Sequence, residues 1–347
     1  MRIEPFDPKN ASDLHYAALS TFRNRMRAER FPGDPPISLD ERVRRWQSIP
    51  VFVGVQVWNV WREDGSEIIA AGEVEFLHAA ENRHLMDFGI DVLPEVRQRG
   101  IGRSLLALIA EAAHRENRTL LITATSGNIP AGEAFMKRLG ARIGLTSHTH
   151  QLDLRDLNRD LLGQWQARVA ERASEFSLEL WTGPIPEEHI EAFAQLFEAM
   201  NLAPRGDLEV EDFHWTPEQF RQSRASDRSR GVDNWIIVAR EREGGALAGF
   251  TEVAWNPYRP EILDQRSTAV LPQYQNRGLG RWLKAAMLEK VLRDRPQVTR
   301  VRTGNADANA PMLRINQELG FKPFQSHSVW QVETERVQAY LSQRVQG

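Results

Sequence analysis

Two segments of this sequence carry residue types suited to holding an anion: Arg97-Gln98-Arg99-Gly100-Ile101-Gly102-Arg103 and Gln275-Asn276-Arg277-Gly278-Leu279-Gly280-Arg281. Each follows a Val-Leu-Pro triplet (Val92-Leu93-Pro94 and Val270-Leu271-Pro272) and opens a stretch with helical apolar spacing. Glycine lets the backbone approach a diphosphate without a Cβ clash, and the first N–H groups of a helix lack internal partners. The helix dipole favours negative charge at the same point, and Arg97, Arg99, Arg103, Arg277 and Arg281 add positive charge. One copy alone reads equally well as a tight strand–helix turn. Two familiar alternatives fail: Leu105 and Leu283 stand where a dinucleotide fingerprint needs its third glycine, and neither loop has Gly-Lys-Ser/Thr.

The elements that must position these loops also recur. Gly100 and Gly278 lie 178 residues apart, and Val-Leu-Pro precedes both in the same register. Downstream, Arg138-Leu139-Gly140-Ala141 answers to Glu318-Leu319-Gly320-Phe321. Upstream, Met1–Phe6 and Phe176–Trp181 read as first strands, and Ala11–Met26 and Glu187–Met200 as helices. Strand pairs follow, Val51–Trp61 with Ile68–Leu77 and Trp235–Glu241 with Ala246–Trp255, turning at Asp64-Gly65 and Gly244-Gly245. Leu157, Leu161, Leu162 and Trp165 fall at helical spacing between the halves. Two domains are therefore expected, 1–153 and 176–347, joined by a connecting helix over 154–175 that packs on one of them.

Composition narrows the chemistry. With no cysteine among 347 residues, disulfides, thiolate zinc sites and a cysteine acyl-enzyme are excluded. The nine histidines show no metal-binding spacing, so no metal site is expected. A net charge of −3 lacks the footprint of a nucleic-acid binder, and no apolar run is long enough to span a membrane. The N-terminus lacks the pattern of a secretory signal, so a cytoplasmic location is expected. The basic runs Arg23–Arg30 and Arg221–Arg230 read as solvated faces.

The paired loops resemble the pyrophosphate-binding signature of GCN5-related N-acetyltransferases, [Arg/Gln]-x-x-Gly-x-[Gly/Ala] after a strand ending near Val-x-Pro. In the second half, Thr303–Met312 with Asn316-Gln-Glu-Leu-Gly-Phe321 is similar to the family's asparagine-rich and Leu-Gly-Phe segment. The likeness spans nearly the whole chain as two domains, as in tandem members of the mycothiol synthase-like kind. It implies an α/β (α+β) fold: two tandem domains, each a mixed, mostly antiparallel sheet flanked by helices. The strand before each glycine loop would splay from its neighbour at a bulge, opening an acyl-CoA cleft.

The resemblance also assigns residues. Main-chain groups of Val92 and Leu93, or Val270 and Leu271, would pair with the pantetheine arm of acetyl-CoA or another acyl-CoA. The segments 97–103 and 275–281 would hold its phosphates. Asn305 and Asn309, with Asn128 in the first half, would contact pantetheine or phosphates, although Asn309 before Ala-Pro-Met is equally a helix N-cap. An amine acceptor must lose a proton as it attacks. The family's base position is Asp264, with Glu252 as a second candidate and Glu73 and Glu75 as its first-half analogues. The first half has Met86 at that position, with Asp87 beside it and expected on the opposite strand face. Where many members have a tyrosine acid, Asn316 and Met136 stand instead, so Asn316 acting through a water is one substitute.

The expected function is acetyl transfer to the amine of a small molecule by direct attack in a ternary complex, catalysed in the second half. A non-catalytic acyl-CoA sensor is the alternative, because the tyrosine is missing from both halves. Acceptor loops are expected at Phe31–Trp46 and Ala203–Gly231. The chain is expected to be a monomer or a homodimer.

Overall fold

In the computed structural model, which describes residues 2–343, stretches of period two form strands and stretches of period 3.6 form helices. The first half runs β1 (Arg2–Phe6), α1 (Asp13–Arg30), α2 (Leu39–Gln47), β2 (Val53–Trp61), β3 (Ile68–Leu77), β4 (Leu85–Val92), α3 (Ile101–Arg115), β5 (Leu120–Ser126), α4 (Pro130–Leu139) and β6 (Arg142–Asp153). Then come α5 (Arg159–Arg172), β7 (Phe176–Thr182), α6 (Ile190–Phe197), α7 (Pro217–Ser229), β8 (Asp233–Glu241), β9 (Leu247–Trp255), β10 (Ile262–Val270), α8 (Leu279–Asp294), β11 (Arg300–Ala306), α9 (Ala310–Leu319), β12 (Lys322–Glu333) and α10 (Thr334–Ser342). Local chemistry sets the helix ends. The hydroxyls of Ser12 and Ser38 cap α1 and α2, and Thr216 with Gln219 forms a reciprocal capping box at α7. No helix among the described residues is long and apolar enough to cross a membrane.

The chain forms two compact units, and neither is the contiguous half expected. The first unit runs up to Thr146 and adds Arg205–Glu211 and the chain from Ser326 onward; the second holds Ser147–Pro204 and Asp212–Gln325. The reason is an exchange of final strands. In the first unit the order is β1-β2-β3-β4-β5-β12, and His327–Glu333 of β12 runs antiparallel to Leu120–Ser126. In the second the order is β7-β8-β9-β10-β11-β6, and Ser147–Asp153 of β6 runs antiparallel to Arg300–Ala306. Each exchanged strand delivers core side chains to its host: Trp330 and Val332 to the first unit, Leu152 to the second.

Within each unit the sheet is antiparallel except for one central parallel pair, β4/β5 and β10/β11. Helix α3 packs Leu105, Leu106 and Ile109 against one face of the first sheet. Helix α8 packs Leu279, Leu283 and Met287 on the second, each fully buried leucine contributing roughly 1.5–3 kcal/mol. The segment expected as a connecting helix contains α5, whose Leu162 and Trp165 enter the core of the second unit. The opposite face of the second sheet carries an aromatic cluster around Phe193, Phe220 and Phe250.

Candidate active site

Both glycine loops have the same backbone. Gln98 and Gly100 have φ of 62° and 80°, and Asn276 and Gly278 have 63° and 90°. Two left-handed residues, two apart, turn successive N–H groups toward one side, the geometry of an anion nest. Gly100 and Gly278 are the N-caps of α3 and α8, no side chain caps either helix, and a Cβ at either position would meet nothing within 4 Å. These open, uncapped turns fit a diphosphate held by main-chain amides. Arg97 Nε donates to Val92 O at 3.0 Å, and Gln275 Nε2 donates to Val270 O at 3.1 Å, so the loops are also anchored alike.

The arginines do less than the sequence suggested, because most are committed elsewhere. Arg97 pairs with Glu29, Arg277 with Glu175 and Arg281 with Glu318. Arg99 bonds Glu95 O, while Arg103 bonds the carbonyls of Tyr340, Leu341 and Gln343 at the end of α10. Leu93 and Leu271 need a similar correction: their N–H groups already donate to Ile69 O (3.0 Å) and Ala248 O (2.9 Å), which leaves neither for a ligand.

The parallel pairs are short and then split. β4 meets β5 only over Leu85–Asp87, and β10 meets β11 only over Ile262–Asp264. The units differ at the next step. In β10 the register to β9 shifts between Gln265 and Thr268, so that Arg266 and Ser267 stand opposite Glu252 alone. This bulge swings main-chain groups out of the ladder. Between β3 and β4 the register is continuous from Ala70↔Val92 to Glu75↔Asp87. Gln265 fills the bulge, its Nε2 donating to Glu252 O at 2.7 Å and to Thr251 Oγ1 at 3.2 Å.

Around the second split the structure gathers three of the expected asparagines. Asn309 is the N-cap of α9, its Oδ1 accepting from Met312 N–H. Asn316 is buried and donates through Nδ2 to Asn305 Oδ1 at 2.7 Å. Its own Oδ1 accepts from Lys284 Nζ at 3.0 Å, a residue the sequence reading did not single out. Asn128 is not the first-half equivalent of Asn309. The N-cap of α4 is Ile129, without a side-chain bond, and Asn128 Nδ2 instead donates to the carbonyls of Glu29 and Arg30. With Asp91 bound to Arg23 and Arg30, and Arg97 to Glu29, the C-terminus of α1 straps together the two ends that the first split separates.

The carboxylates also sort differently from expectation. Glu252 is buried and held by Arg224 Nη1 at 2.6 Å and Arg266 Nη1 at 3.2 Å. Arg266 also bonds Asp227 (2.8 Å), and Asp227 accepts from Asn234 at 3.0 Å and pairs with Arg230. These ion pairs commit the Glu252 carboxylate to a clamp across the bulge. Burial is the largest influence on Asp227 and opposes its charge, yet the Arg266 bond together with the charges of Arg266, Arg230 and Arg224 holds that carboxyl below its ordinary range. Asp264 is half-exposed at the last paired position before the split, with Arg259 3.8 Å away.

Pairing to the parallel neighbour makes Asp87, not Met86, the counterpart of Asp264, since Asp87 pairs Ile122 as Asp264 pairs Arg302. The extra residue in the bulge shifts any count made backward from the loop. Asp87 reaches solvent but is enclosed enough that desolvation, helped by Glu75, raises it to about 6. Glu75 is raised too, by burial first and Glu73 second. The expected acceptor loop Ala203–Gly231 is divided: its residues 205–211 belong to the first unit, where Gln331 bonds Glu209 N–H and Asp207 O.

The sequence profile described as the acetyltransferase (GNAT) family matches residues 19–141 and again 190–321. A tandem GNAT protein from the clavulanic acid biosynthesis pathway, solved without AcCoA, is 25% identical, with a TM-score of 0.78 over 96% of this chain and 98% of that one. A GCN5-related N-acetyltransferase from Sphaerobacter thermophilus is 15% identical, with a TM-score of 0.67 over 96% of each chain. A glucosamine N-acetyltransferase region of a fungal multi-domain GH3 beta-N-acetylglucosaminidase has the same identity and TM-score over 95% of this chain and 38% of that one, a likeness of fold. No curated protein matches in sequence.

Proposed function

Because the chain belongs to the acetyltransferase (GNAT) family and is an acyl-CoA-dependent N-acetyltransferase, we propose that its second unit is the working site and transfers acetyl to a small-molecule amine. The observation that carries this reading is the bulge of β10 at Arg266–Ser267, which has no counterpart between β3 and β4. A main-chain donor turned out of its ladder beside a split can bond the oxygen on which charge develops, and such fixed donors are worth about 3–4 kcal/mol of barrier. Acetyl-CoA, when bound, supplies the activated acyl group as its thioester. The amides of Asn276–Gly280 hold the phosphates, Val270 aligns the pantetheine arm, and Asn305 and Asn309 border it.

Asp264 stands at the last paired position before the split and, through a water, takes the proton that the amine loses as the new C–N bond forms and the C–S bond breaks. The departing thiolate receives its proton from solvent. With no cysteine to carry the acetyl group, transfer is direct in a ternary complex.

Calorimetric titration with acetyl-CoA, paired with an amine panel assayed for released thiol, tests the assignment. Gly278→Glu places a side chain and a negative charge in the nest at φ 90° and is expected to abolish binding to the second unit and all turnover. Gly100→Glu is expected to leave turnover intact. Turnover lost only through Gly100→Glu would move the working site to the first unit.

A further inference from the structure

Lys284 lies on α8 and is completely enclosed, with Asn316 Oδ1 as its hydrogen-bond partner at 3.0 Å and the Phe321 ring 5.8 Å away. An ammonium without a carboxylate in such a place is costly, and burial lowers Lys284 to about 7. The first unit shows that the fold has no need of it. Leu106 occupies the same helical position six residues after its loop glycine, and Met136 stands four residues before Gly140 as Asn316 stands four before Gly320. Both are buried and apolar. The second unit has replaced both members of an apolar pair with a polar pair.

The direction of the bonds gives the replacement a use. As an ammonium Lys284 can only donate in this bond, so Asn316 turns its Oδ1 inward and its Nδ2 toward Asn305. Asn305 must then turn Oδ1 toward Asn316, which leaves its Nδ2 as the outward donor; that group bonds nothing among the described residues. Asn305 lies three residues beyond the last β10–β11 pair, in the diverging part of β11. We infer that Lys284 is a positioning residue that sets two amides in sequence, Asn316 and then Asn305, and so presents Asn305 Nδ2 to the pantetheine or thioester carbonyl of the acyl donor. This rests on the reading that the second unit binds acetyl-CoA.

A double-mutant cycle tests it, with the Kd for acetyl-CoA by calorimetry, kcat, and the thermal midpoint measured on the full chain. Loss of one oriented donor is worth about tenfold in Kd. Lys284→Met and Asn316→Met are each expected to weaken acetyl-CoA binding about tenfold, and the double variant by the same tenfold rather than a hundredfold. The acceptor KM should stay unchanged. The midpoint of the double variant should not fall, since an apolar pair like that of the first unit then replaces the buried polar pair. Wild-type affinity in Lys284→Met, or effects that multiply in the double variant, would overturn the inference. Gly278→Glu separates the two levels: if it abolishes binding while Lys284→Met does not alter it, only the role of Lys284 falls. If Gly278→Glu leaves binding intact, the second-unit reading falls and the inference with it.

Discussion

The two units share a cradle and differ in what surrounds the split beside it. In the first, β4 is unbulged, the interior pair is Leu106 and Met136, and an ionic strap from the end of α1 ties Asp91 and Arg97 to the turn at Asn128. In the second, β10 is bulged, the interior pair is Lys284 and Asn316, and Ala269 stands where the first unit has Asp91. The nest of amides is a property of the backbone and survives in both. The working chemistry depends on side chains and on one extra residue, and these are free to diverge. A retained glycine loop therefore marks ancestry more securely than it marks activity.

The largest effect should come from separating the halves. A fragment ending at residue 175 lacks β12, so β5 loses its antiparallel partner and the core loses Trp330 and Val332. Such a fragment is expected to be insoluble or to associate through the bare edge. A monomeric fragment with native circular dichroism would show that the exchanged strand is dispensable.

A smaller contrast lies in the matched glutamates of the third strand of each sheet, Glu252 and Glu73. Glu252→Gln removes the near carboxylate of the buried Arg224, whose remaining partner Asp227 is 3.8 Å away, and one of two carboxylates on the half-buried Arg266, and should cost about 3 kcal/mol in urea unfolding. Glu73 is half-exposed, and its partner Arg23 keeps Asp91, so Glu73→Gln should cost less than about 1 kcal/mol. Equal costs would mean that the bulge clamp is no stiffer than a surface pair.

The matched aspartates sharpen the comparison further. Asp264→Asn is expected to lower kcat about 100-fold with acetyl-CoA affinity unchanged, whereas Asp87→Asn should leave kcat alone. Asp87 has a subtler effect on stability. Its carboxyl titrates near 6 in the folded chain and near 3.8 when unfolded, so between those values the folded state holds more protons and stability falls as pH rises. Asp87→Asn should accordingly raise the melting temperature at pH 7 and not at pH 3. A reversal of the kcat pattern would place the base in the first unit.

Much of this was legible in the sequence, because the signals were local. The repeat, the alternating strands, the glycine loops and Asn309 as a cap each follow from a few adjacent residues. The remaining features depend on distant partners. The alternating pattern of β6 and β12 gives no sign of which sheet each will join. The bulge adds one residue, and that offset matched Met86 to Asp264 when strand pairing matches Asp87. Arg224 sits in a run that reads as a solvated face, yet it is buried against Glu252, 28 residues away. Nothing local to Lys284 marks it out; the fold alone brings Asn316, 32 residues away, to its side.

The exchanged strands also bear on how the protein is made. Leu120–Ser126 finds its outer neighbour some two hundred residues later, in His327–Glu333. A chain emerging from the ribosome can form the hairpins of the first unit early, but its sheet keeps an unfinished edge until β12 has been synthesised. Throughout that interval the strand exposed to chaperones and to other nascent chains is β5, the wall of the first unit's own split.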